Sequence, residues 1–307
     1  MTTAIAPALN SKLAEALAAR RFVITAECVP PRGADASATK KIAAALPKSI
    51  TAAGVAENHN EIRSSALACA LVLKAEGIEP VLPLVTRDRN RIALQSDALG
   101  AASLGLCNVL CVSGDHQSLG VAPQAAAAYD LDPIQLLQLL KGLRDDGTLL
   151  GGEKIAPPPA LFLGGLAHPY LRPMKFATLE TAKKVSAGAQ FLLTQPLWDI
   201  AVFSEWLAAI RDAGLLEKVA LIASVKPLTS VAGAEALQDR HQDSPFCEEI
   251  VKRMHKAADP VKEGLALSAE LAAKAKALPG VRGIHILANG REDAAASIIE
   301  QAGLTRA

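Results

Sequence analysis

The chain repeats one pattern of hydrophobic and polar positions almost from end to end. A segment with helical periodicity ends at a glycine, and a short apolar run follows, as in "AEGIEPVLPLVT", "SAGAQFLLTQP" and "LPGVRGIHILANG". Glycine after a helix supplies the left-handed residue that ends it, and a continuous apolar run of this length is typical of a strand buried on both faces. The pattern therefore predicts alternating helices and strands.

Eight such units can be recognised. The predicted strands lie near 22–27, 51–56, 80–86, 108–113, 160–166, 190–195, 219–225 and 282–287. The predicted helices lie near 37–47, 61–77, 90–104, 131–144, 176–187, 199–213, 229–276 (interrupted) and 291–303. Alternation favours a parallel α/β sheet, and eight units in 307 residues fit a closed (β/α)8 TIM barrel. A doubly wound open sheet is the alternative, but its glycine-rich nucleotide motifs are missing from the sequence.

The chain reads as a single domain, 1–307, because no convincing linker interrupts it. Residues 1–20 predict an additional amphipathic helix with Asn10 or Ser11 as its N-cap, and they lack the basic and apolar regions of a secretory signal. The stretch 146–159, rich in glycine and proline, predicts a long loop between strands four and five. That loop is either a lid or a tolerated insertion.

Composition narrows the classes of partner. Charged residues make up 21% of the chain with a net charge of +1, and aromatic residues make up 3%, so neither nucleic acid nor an anionic membrane is expected as a partner. No apolar run is long enough to cross a bilayer. The five cysteines are odd in number and scattered, which is typical of a reduced, cytoplasmic protein.

Polar residues follow every predicted strand, at the end where barrels of this kind form their sites. These residues are Glu27, Glu57, Asn58, His59, Thr86, Arg87, Asp88, Ser113, Asp115, His116, His168, Thr194, Gln195, Lys226, Asn289 and Arg291. Strand ends are polar in any barrel, so a single residue of this kind is weak evidence. Glu27 and Asp115 are stronger candidates because each closely follows an apolar run, where partial burial favours a proton-donating carboxyl group.

The other reactive side chains give weaker evidence for a functional site. Cys107 and Cys111 read as small core residues, either on opposite faces of a strand or staggered along it, and Cys28 reads as a core residue rather than a nucleophile. The histidines show no zinc-binding spacing. The segment "TRDRNRIALQ" either holds a phosphate or forms a solvated helix start with Asp88 as the cap.

Several segments, in order over nearly the whole chain, resemble the methylenetetrahydrofolate reductase family, and its shorter bacterial branch in particular. These segments are "ITAECVPPRG", "CVSGD", "YDLDPIQLL", "KKVSAGAQFLLTQPLWD" and "GIHILANG". The resemblance implies a (β/α)8 barrel that binds FAD and reduces 5,10-methylenetetrahydrofolate to 5-methyltetrahydrofolate. It also implies NADH or NADPH as the electron donor and a place in one-carbon metabolism and methionine biosynthesis.

The resemblance assigns roles at the matching positions. Glu27 is expected to be the general acid that protonates the folate amine, and Asp115 to lie near the pterin and the flavin. Gln195 is expected to hydrogen-bond the pterin, and Asn58 is a further substrate-binding candidate. The positions that match flavin contacts are Thr86, Gly114, Asp115, Tyr129, His168 and Lys184, with Lys184 on the phosphates.

The chain departs from the family pattern mainly in the flavin half of the site. The departing positions are Leu84, Ser113, Gly164, Ala177 and Val231. A second hypothesis is therefore a flavin-poor, folate-binding or subunit-like member that depends on a partner protein for electrons. A third is a lyase or methyltransferase that uses the folate pocket without redox chemistry. A homo-oligomer is compatible with all three.

Overall fold

A computed structural model of the protein describes residues 10–58, 61–120, 122–241, 244–288 and 290–304. Eight parallel strands form a closed barrel in chain order, and β1 pairs with β8 to complete it. The strands are β1 (Val23–Cys28), β2 (Ala52–Val55), β3 (Pro80–Val85), β4 (Asn108–Val112), β5 (Phe162–Ala167), β6 (Phe191–Pro196), β7 (Ala220–Val225) and β8 (Val281–Ile286). The predicted (β/α)8 barrel is confirmed, and every predicted strand lies within about two residues of the observed bounds.

The helices surround the barrel in the predicted alternation. They are α1 (Lys12–Ala18), α2 (Ala36–Ala45), α3 (Ala66–Ala75), α4 (Arg91–Ser103), α5 (Pro133–Asp146), α6 (Met174–Ser186), α7 (Ile200–Asp212), α8 (Val231–Arg240), α9 (Pro245–Lys256), α10 (Pro260–Lys276) and α11 (Glu292–Gln301). A short 3-10 helix spans Gln117–Leu119. Three helices, α8 to α10, separate β7 from β8 in the described residues, where the sequence predicted an interrupted helical stretch.

Helix α1 closes the end of the barrel at which the strands begin. Ser11 is its N-cap, and its Oγ accepts a hydrogen bond from Ala14 N at 2.9 Å. Leu13 and Leu17 are buried against the interior cluster that includes Val23. The additional N-terminal helix is thus confirmed for Lys12–Ala18, and the part of the prediction that falls on residues 1–9 lies outside the described residues.

Two apolar layers hold the fold together. Inside the barrel, the rings of Phe162 and Phe191 stack with centroids 5.1 Å apart. Outside it, the strands pack against the helices in a larger cluster. Cys107 belongs to the inner layer and Cys111 to the outer one, which confirms both as core residues. The spacing does not explain the two layers, because residues four apart in a strand share a face; Cys107 lies just before β4 begins at Asn108. Cys28 is buried in the outer layer, with its Sγ 3.8 Å from Sγ of Cys69.

The long loop 146–159 lies on the wrong side of the barrel to be a lid. It begins where α5 ends, at Gly147, and leads to the start of β5, so it is a helix-to-strand connection. Such connections lie at the end of the barrel opposite the strand C-termini. Leu150 N donates to Gln95 Oε1 on α4 at 2.8 Å, which fixes the loop to the outer layer. The lid alternative is therefore wrong.

None of the helices in the described part of the chain combines the length and the apolar character needed to cross a bilayer.

Candidate functional site

Glu27 lies on the inner face of β1, close to the C-terminal end of the strand. Side chains alternate along a strand, and Val23 belongs to the interior cluster, so Thr25 and Glu27 also face the barrel axis. Glu27 is half-buried and pairs in register with Gly54 of β2. The carboxyl group therefore lies at the top of the barrel interior, between its packed floor and the open mouth.

A buried histidine lies directly beneath this position. His285 Nδ1 and Thr25 Oγ1 are 2.9 Å apart, and a Cβ atom at Gly54 would lie 3.1 Å from His285 Cε1. The glycine leaves room for the ring. Burial lowers the pKa of His285 to about 4, so the ring is neutral at physiological pH.

Arg87 links the segments that follow β2, β3 and β4. Its Nη2 donates to the carbonyl oxygen of Asn58 at 2.5 Å, and its Nη1 donates to that of Asp115 at 3.0 Å. Its guanidinium also pairs with Asp88 at 2.8 Å, and the hydrogen bond to that carboxylate raises the pKa of Arg87. Arg87 thus positions the backbone of two predicted substrate-binding residues.

The cap of α4 differs from the predicted one. Asn90 Oδ1 accepts hydrogen bonds from Ile92 N and Ala93 N, both at 3.1 Å. Asp88 lies too early in the chain to reach these amides, and its carboxylate is occupied by Arg87. The prediction of Asp88 as the helix cap is wrong.

The remaining arginines of the same segment are also paired with carboxylates. Arg89 contacts Glu57 at 3.1 Å and Asp97 at 2.9 Å, and Arg91 contacts Asp130 at 2.7 Å. An arginine engaged in this way has to give up a carboxylate before it can take a phosphate. The structure favours the interpretation of this segment as a paired helix start.

Both the backbone conformation and the close surroundings at position 114 require a glycine. Its φ is +74°, and a Cβ atom there would lie 2.7 Å from Val85 Cγ1. Asp115 follows on this turn, and its side chain is exposed at the mouth. The close approach of Gly114 to the end of β3 therefore sets the position of the acid.

The segment between β4 and α5 folds back over the end of β3. Tyr129 N donates to Thr86 O at 3.0 Å, and the Tyr129 ring lies 6.3 Å from the His116 ring. Thr86 is fully buried, and its Oγ1 has no hydrogen-bond partner in the described residues. Tyr129 is 40% exposed, so its ring is accessible from the mouth.

Lys184 is the centre of an ion-paired cluster behind β5. Its Nζ donates to Glu180 Oε1 at 2.7 Å and to Leu166 O at 2.6 Å, and His168 Nδ1 lies 2.8 Å from Glu180 Oε1. Burial lowers the pKa of Lys184 despite the nearby carboxylate. Burial alone would raise the pKa of Glu180, but the hydrogen bonds from His168 and Lys184 outweigh it and lower that pKa.

Glu180 is not among the site residues expected from the sequence. Its spacing from Lys184 is the i, i+4 spacing of helix ion pairs, so the sequence contained a signal for this pair. A phosphate group that approached Lys184 would compete with this carboxylate.

Gln195 lies at an irregularity in the sheet. The pairing of β6 with β7 shifts register between Leu193 and Pro196, and Thr194 Oγ1 accepts a hydrogen bond from Ser224 N at 2.9 Å. A register shift of this kind redirects the side chains next to it. Gln195 is exposed at the mouth, where its amide can meet a ligand.

Gly164 replaces an aromatic residue expected from the family pattern, and a neighbouring ring fills the space. A Cβ atom at Gly164 would lie 2.2 Å from Phe191 Cζ. The aromatic volume on this side of the barrel therefore comes from β6 and is part of the packed interior.

The strand order brings four predicted residues to the mouth of the barrel. Glu27 lies on β1, Asn58 follows β2, Asp115 follows β4 and Gln195 lies on β6. Thr86 and Lys184, in contrast, are buried behind this rim.

Two other strand-end candidates, His59 and Asn289, lie outside the described residues. Within the described ranges, no group of three or more His, Cys, Asp or Glu side chains is arranged to hold a metal ion.

Comparison with known proteins points to one family. The family model described as methylenetetrahydrofolate reductase matches residues 12–303. Methylenetetrahydrofolate reductase (NADH) 1 of Arabidopsis thaliana is 25% identical over 216 residues. That match covers 66% of this chain and 34% of the plant protein, so the chain spans about a third of that relative's length.

Solved structures share the barrel. An uncharacterized protein from Clostridium thermocellum, described as binding two copies of 5-methyl-5,6,7,8-tetrahydrofolic acid, aligns with a TM-score of 0.65 at 15% identity and covers 95% of this chain and 98% of its own. Tryptophan synthase from M. tuberculosis, in an open form with BRD0059 bound, aligns with a TM-score of 0.51 at 13% identity and covers 98% and 99%. At these identities the likeness concerns the fold.

Proposed function

Because the chain belongs to the methylenetetrahydrofolate reductase family, we propose that it reduces 5,10-methylenetetrahydrofolate to 5-methyltetrahydrofolate, with Glu27 as general acid and a reduced flavin as hydride donor. The observation that carries the proposal is the position of Glu27, half-buried on the inner face of β1 at the barrel mouth. The folate-binding barrel from Clostridium thermocellum gives additional support for a folate as the ligand.

The role of Glu27 follows from the bond that has to break. Its protonated carboxyl group donates a proton to the folate amine, and the bond between that nitrogen and the bridging carbon breaks. The five-membered ring opens, and the other nitrogen forms an iminium whose carbon accepts the hydride. The neutral ring of His285 beneath the site supports this role, because it places no positive charge there to hold the carboxylate ionised.

Three further residues would orient the pterin. Asp115, exposed at the mouth, would accept hydrogen bonds from the amino-pyrimidine edge, and Gln195 would both donate and accept. Asn58 Oδ1 already accepts from Arg63 N at 2.8 Å, so its amide nitrogen is the group that would face the substrate.

The residues around β3 to β5 fit the ring portion of a flavin. Gly114 forms a cradle that a Cβ atom would fill, Thr86 has a buried hydroxyl without a described partner, and Tyr129 presents an accessible ring. A flavin held there by these residues, Asp115 and His168 would supply the hydride, and NADH or NADPH would reduce it. Contact of Lys184 with the phosphates would require Glu180 to release it.

Replacing Glu27 with Gln tests the central role. Glu27→Gln is isosteric but cannot donate the proton, so we expect folate reduction to fall by about 10²-fold or more, while flavin reduction by the nicotinamide donor stays nearly unchanged. Rapid-reaction kinetics of the two half-reactions measure both. Glu61→Gln, which changes a carboxylate paired with Arg32, is the matched control. Equal survival of both half-reactions in Glu27→Gln would show that Glu27 is not the acid.

A second candidate function is folate binding with electrons delivered by a partner protein. The buried Lys184–Glu180 pair and the filled space at Gly164 favour it, because both remove groups expected to contact a flavin. Isolated protein that binds folate but holds no flavin and is active only with a co-purifying partner would support this candidate. Product analysis distinguishes both from a lyase or methyltransferase, which would leave the oxidation level of the folate carbon unchanged.

A further inference from the structure

A groove of about 610 Å³ opens at the floor of the barrel, at the end opposite the proposed site. One of its walls is α1, and the other is the connection between α2 and β2, residues 48–51. Connections from a helix to the next strand lie at this end of the barrel. The volume falls within the roughly 300–1,000 Å³ typical of small-molecule sites. This floor groove is therefore large enough for a ligand and is separate from the mouth.

Backbone hydrogen bonds hold both walls of the floor groove in place. Arg21 N donates to Ala16 O at 2.8 Å, where the chain turns from α1 towards β1. On the facing wall, Thr51 N donates to Ile24 O of β1 at 2.7 Å. Walls that are fixed before binding lower the entropic cost of holding a ligand, which favours a preformed site.

Three cations line the floor groove. Lys12 begins α1, Arg21 follows its end, and Lys48 lies on the facing wall. All three side chains are exposed, and none of them forms a hydrogen bond or an ion pair with another part of the described chain. In the segment after β3, in contrast, Arg89 and Arg91 are paired with carboxylates. Cations that gather in a groove without carboxylate partners favour the binding of an anion.

Glu15 is the single carboxylate among the lining residues that the structure describes. Three cations and one carboxylate give the floor groove a formal charge of +2, whereas the whole chain carries +1. The carboxylate weakens the attraction for an anion but does not cancel it. Because the cations lie at both ends of α1 and on the facing wall, only an extended anion with several charges can meet them together.

The uncharged lining residues favour phosphate oxygens over the other parts of a nucleotide. Ser49 and Thr51 are half-buried, and their hydroxyl groups form no hydrogen bond to any described residue, so they can donate to a ligand. None of the described lining side chains is aromatic, so a nucleobase would have no ring to stack on. The phosphate chain is therefore the part that fits.

We propose that the floor groove binds an inorganic polyphosphate chain, with Lys12, Lys48 and Arg21 contacting successive phosphates. The hydroxyl groups of Ser49 and Thr51 donate to phosphate oxygens of the same chain. The inference is independent of the proposed function, because the groove and the mouth lie at opposite ends of the barrel axis. Since the three cations are exposed, added salt weakens the binding.

Titration calorimetry with inorganic triphosphate and orthophosphate at one ionic strength tests the inference. We expect the native protein to bind triphosphate on the order of tenfold more tightly than orthophosphate, because only the longer anion reaches several cations. Arg21→Gln/Lys48→Gln should bind triphosphate about tenfold more weakly than the native protein. A native protein that does not bind triphosphate, or that binds both anions equally, would overturn the inference.

Replacing Glu15 gives a result that damage to the fold cannot imitate. Glu15→Gln removes the carboxylate of the floor groove, so we expect triphosphate to bind several-fold more tightly than to the native protein. Unchanged or weaker binding would show that the anion does not lie beside Glu15.

Net charge needs a matched control. Lys183→Gln/Arg211→Gln removes two exposed cations on α6 and α7, away from the floor groove, and we expect it to keep the native affinity for triphosphate. If this control weakens binding as much as Arg21→Gln/Lys48→Gln does, the effect is one of overall charge and the assigned site is wrong.

Two further measurements locate the anion and identify the part that is recognised. Bound triphosphate should slow amide hydrogen exchange in α1 and in residues 48–51, whereas slowing confined to the mouth would refute the floor groove as the site. ATP should bind no more tightly than triphosphate, because the groove has no described ring for the base. Tighter binding of ATP would overturn the assignment of an inorganic chain.

Discussion

His285 shows how strongly the interior of the barrel changes the properties of a single side chain. The residue lies in the strand "VRGIHI", and no pattern in the sequence points to a role for it. In the structure it is buried, bonded to Thr25 and covered by Gly54, directly beneath the proposed acid. Because the ring is desolvated, the charged form is disfavoured, and the layer under Glu27 is polar but uncharged.

This burial makes stability depend on pH in a definite direction. The pKa of His285 is about 4 in the folded protein and about 6.5 when exposed, so between these values the unfolded chain binds the additional proton. Stability is therefore present above pH 6.5 and is lost as the pH falls towards 4, by roughly 3 kcal/mol.

Urea denaturation at a series of pH values measures this contribution. In His285→Asn, whose amide can still bond Thr25, we expect the loss of unfolding free energy between pH 6.5 and 4 to be smaller than in the native protein by that amount. His255→Asn, at an exposed position, should change the profile little. Identical profiles for the native protein and His285→Asn would contradict the prediction.

Among the elements, α1 depends on one carboxylate from elsewhere in the chain. Glu79, just before β3, accepts hydrogen bonds from Lys12 N at 2.6 Å and Leu13 N at 3.0 Å. It also accepts from Ser11 Oγ at 2.9 Å and Asn108 Nδ2 at 2.7 Å. The first amides of a helix need such acceptors, and a negative charge there also favours the helix dipole. Glu79 therefore fastens α1 to the floor of the barrel.

Glu79→Gln should loosen this helix without affecting the mouth. The amide group has one acceptor oxygen instead of two and no charge, so we expect a loss of about 1–2 kcal/mol in unfolding free energy and faster amide hydrogen exchange within α1. Folate affinity should not change, because α1 lies at the other end of the barrel. The control is Glu76→Gln, at an exposed pair with Lys40 3.4 Å away. Unchanged exchange in α1 would show that Glu79 does not anchor it.

At the scale of the whole molecule, the residues that stabilise the fold and the candidate site residues lie at opposite ends of the barrel axis. At the floor, α1 closes a mainly apolar interior cluster and is held by Glu79, whereas the mouth carries Glu27, Asp115 and Gln195. The residues proposed to contact a flavin are partly accessible and partly buried. The proposed flavin binding therefore has to be measured on the whole protein.

The visible absorbance of the purified chain measures that property. We expect a bound oxidised flavin that NADH or NADPH bleaches and that 5,10-methylenetetrahydrofolate restores, since the proposed reaction passes a hydride from the donor through the flavin to the folate. Denatured and filtered protein provides the control for flavin content. A colourless chain that cannot be reconstituted with FAD and that reduces folate only with an added protein would favour the partner-dependent alternative.

The barrel could be predicted from sequence because local signals determined it. Glycines after helices and continuous apolar strands define eight units, and the observed strands agree with them. The sequence did not decide the cap of α4, because Asn and Asp are both good caps; the start of the helix at Arg91 and the contact of Asp88 with Arg87 select Asn90. The position of 146–159 at the floor of the barrel follows from its place between α5 and β5, which no pattern within the loop itself encodes.

By itself the sequence determined the barrel, the additional helix and the polar residues at its mouth, since periodicity and strand-end chemistry depend on neighbours along the chain. Only the tertiary structure decided which of these residues are accessible. It buried Lys184 against Glu180, placed His285 under Glu27, and gathered Lys12, Arg21 and Lys48 around one groove. The physical reason is that burial and pairing depend on contacts between residues far apart in the chain, which no local pattern encodes.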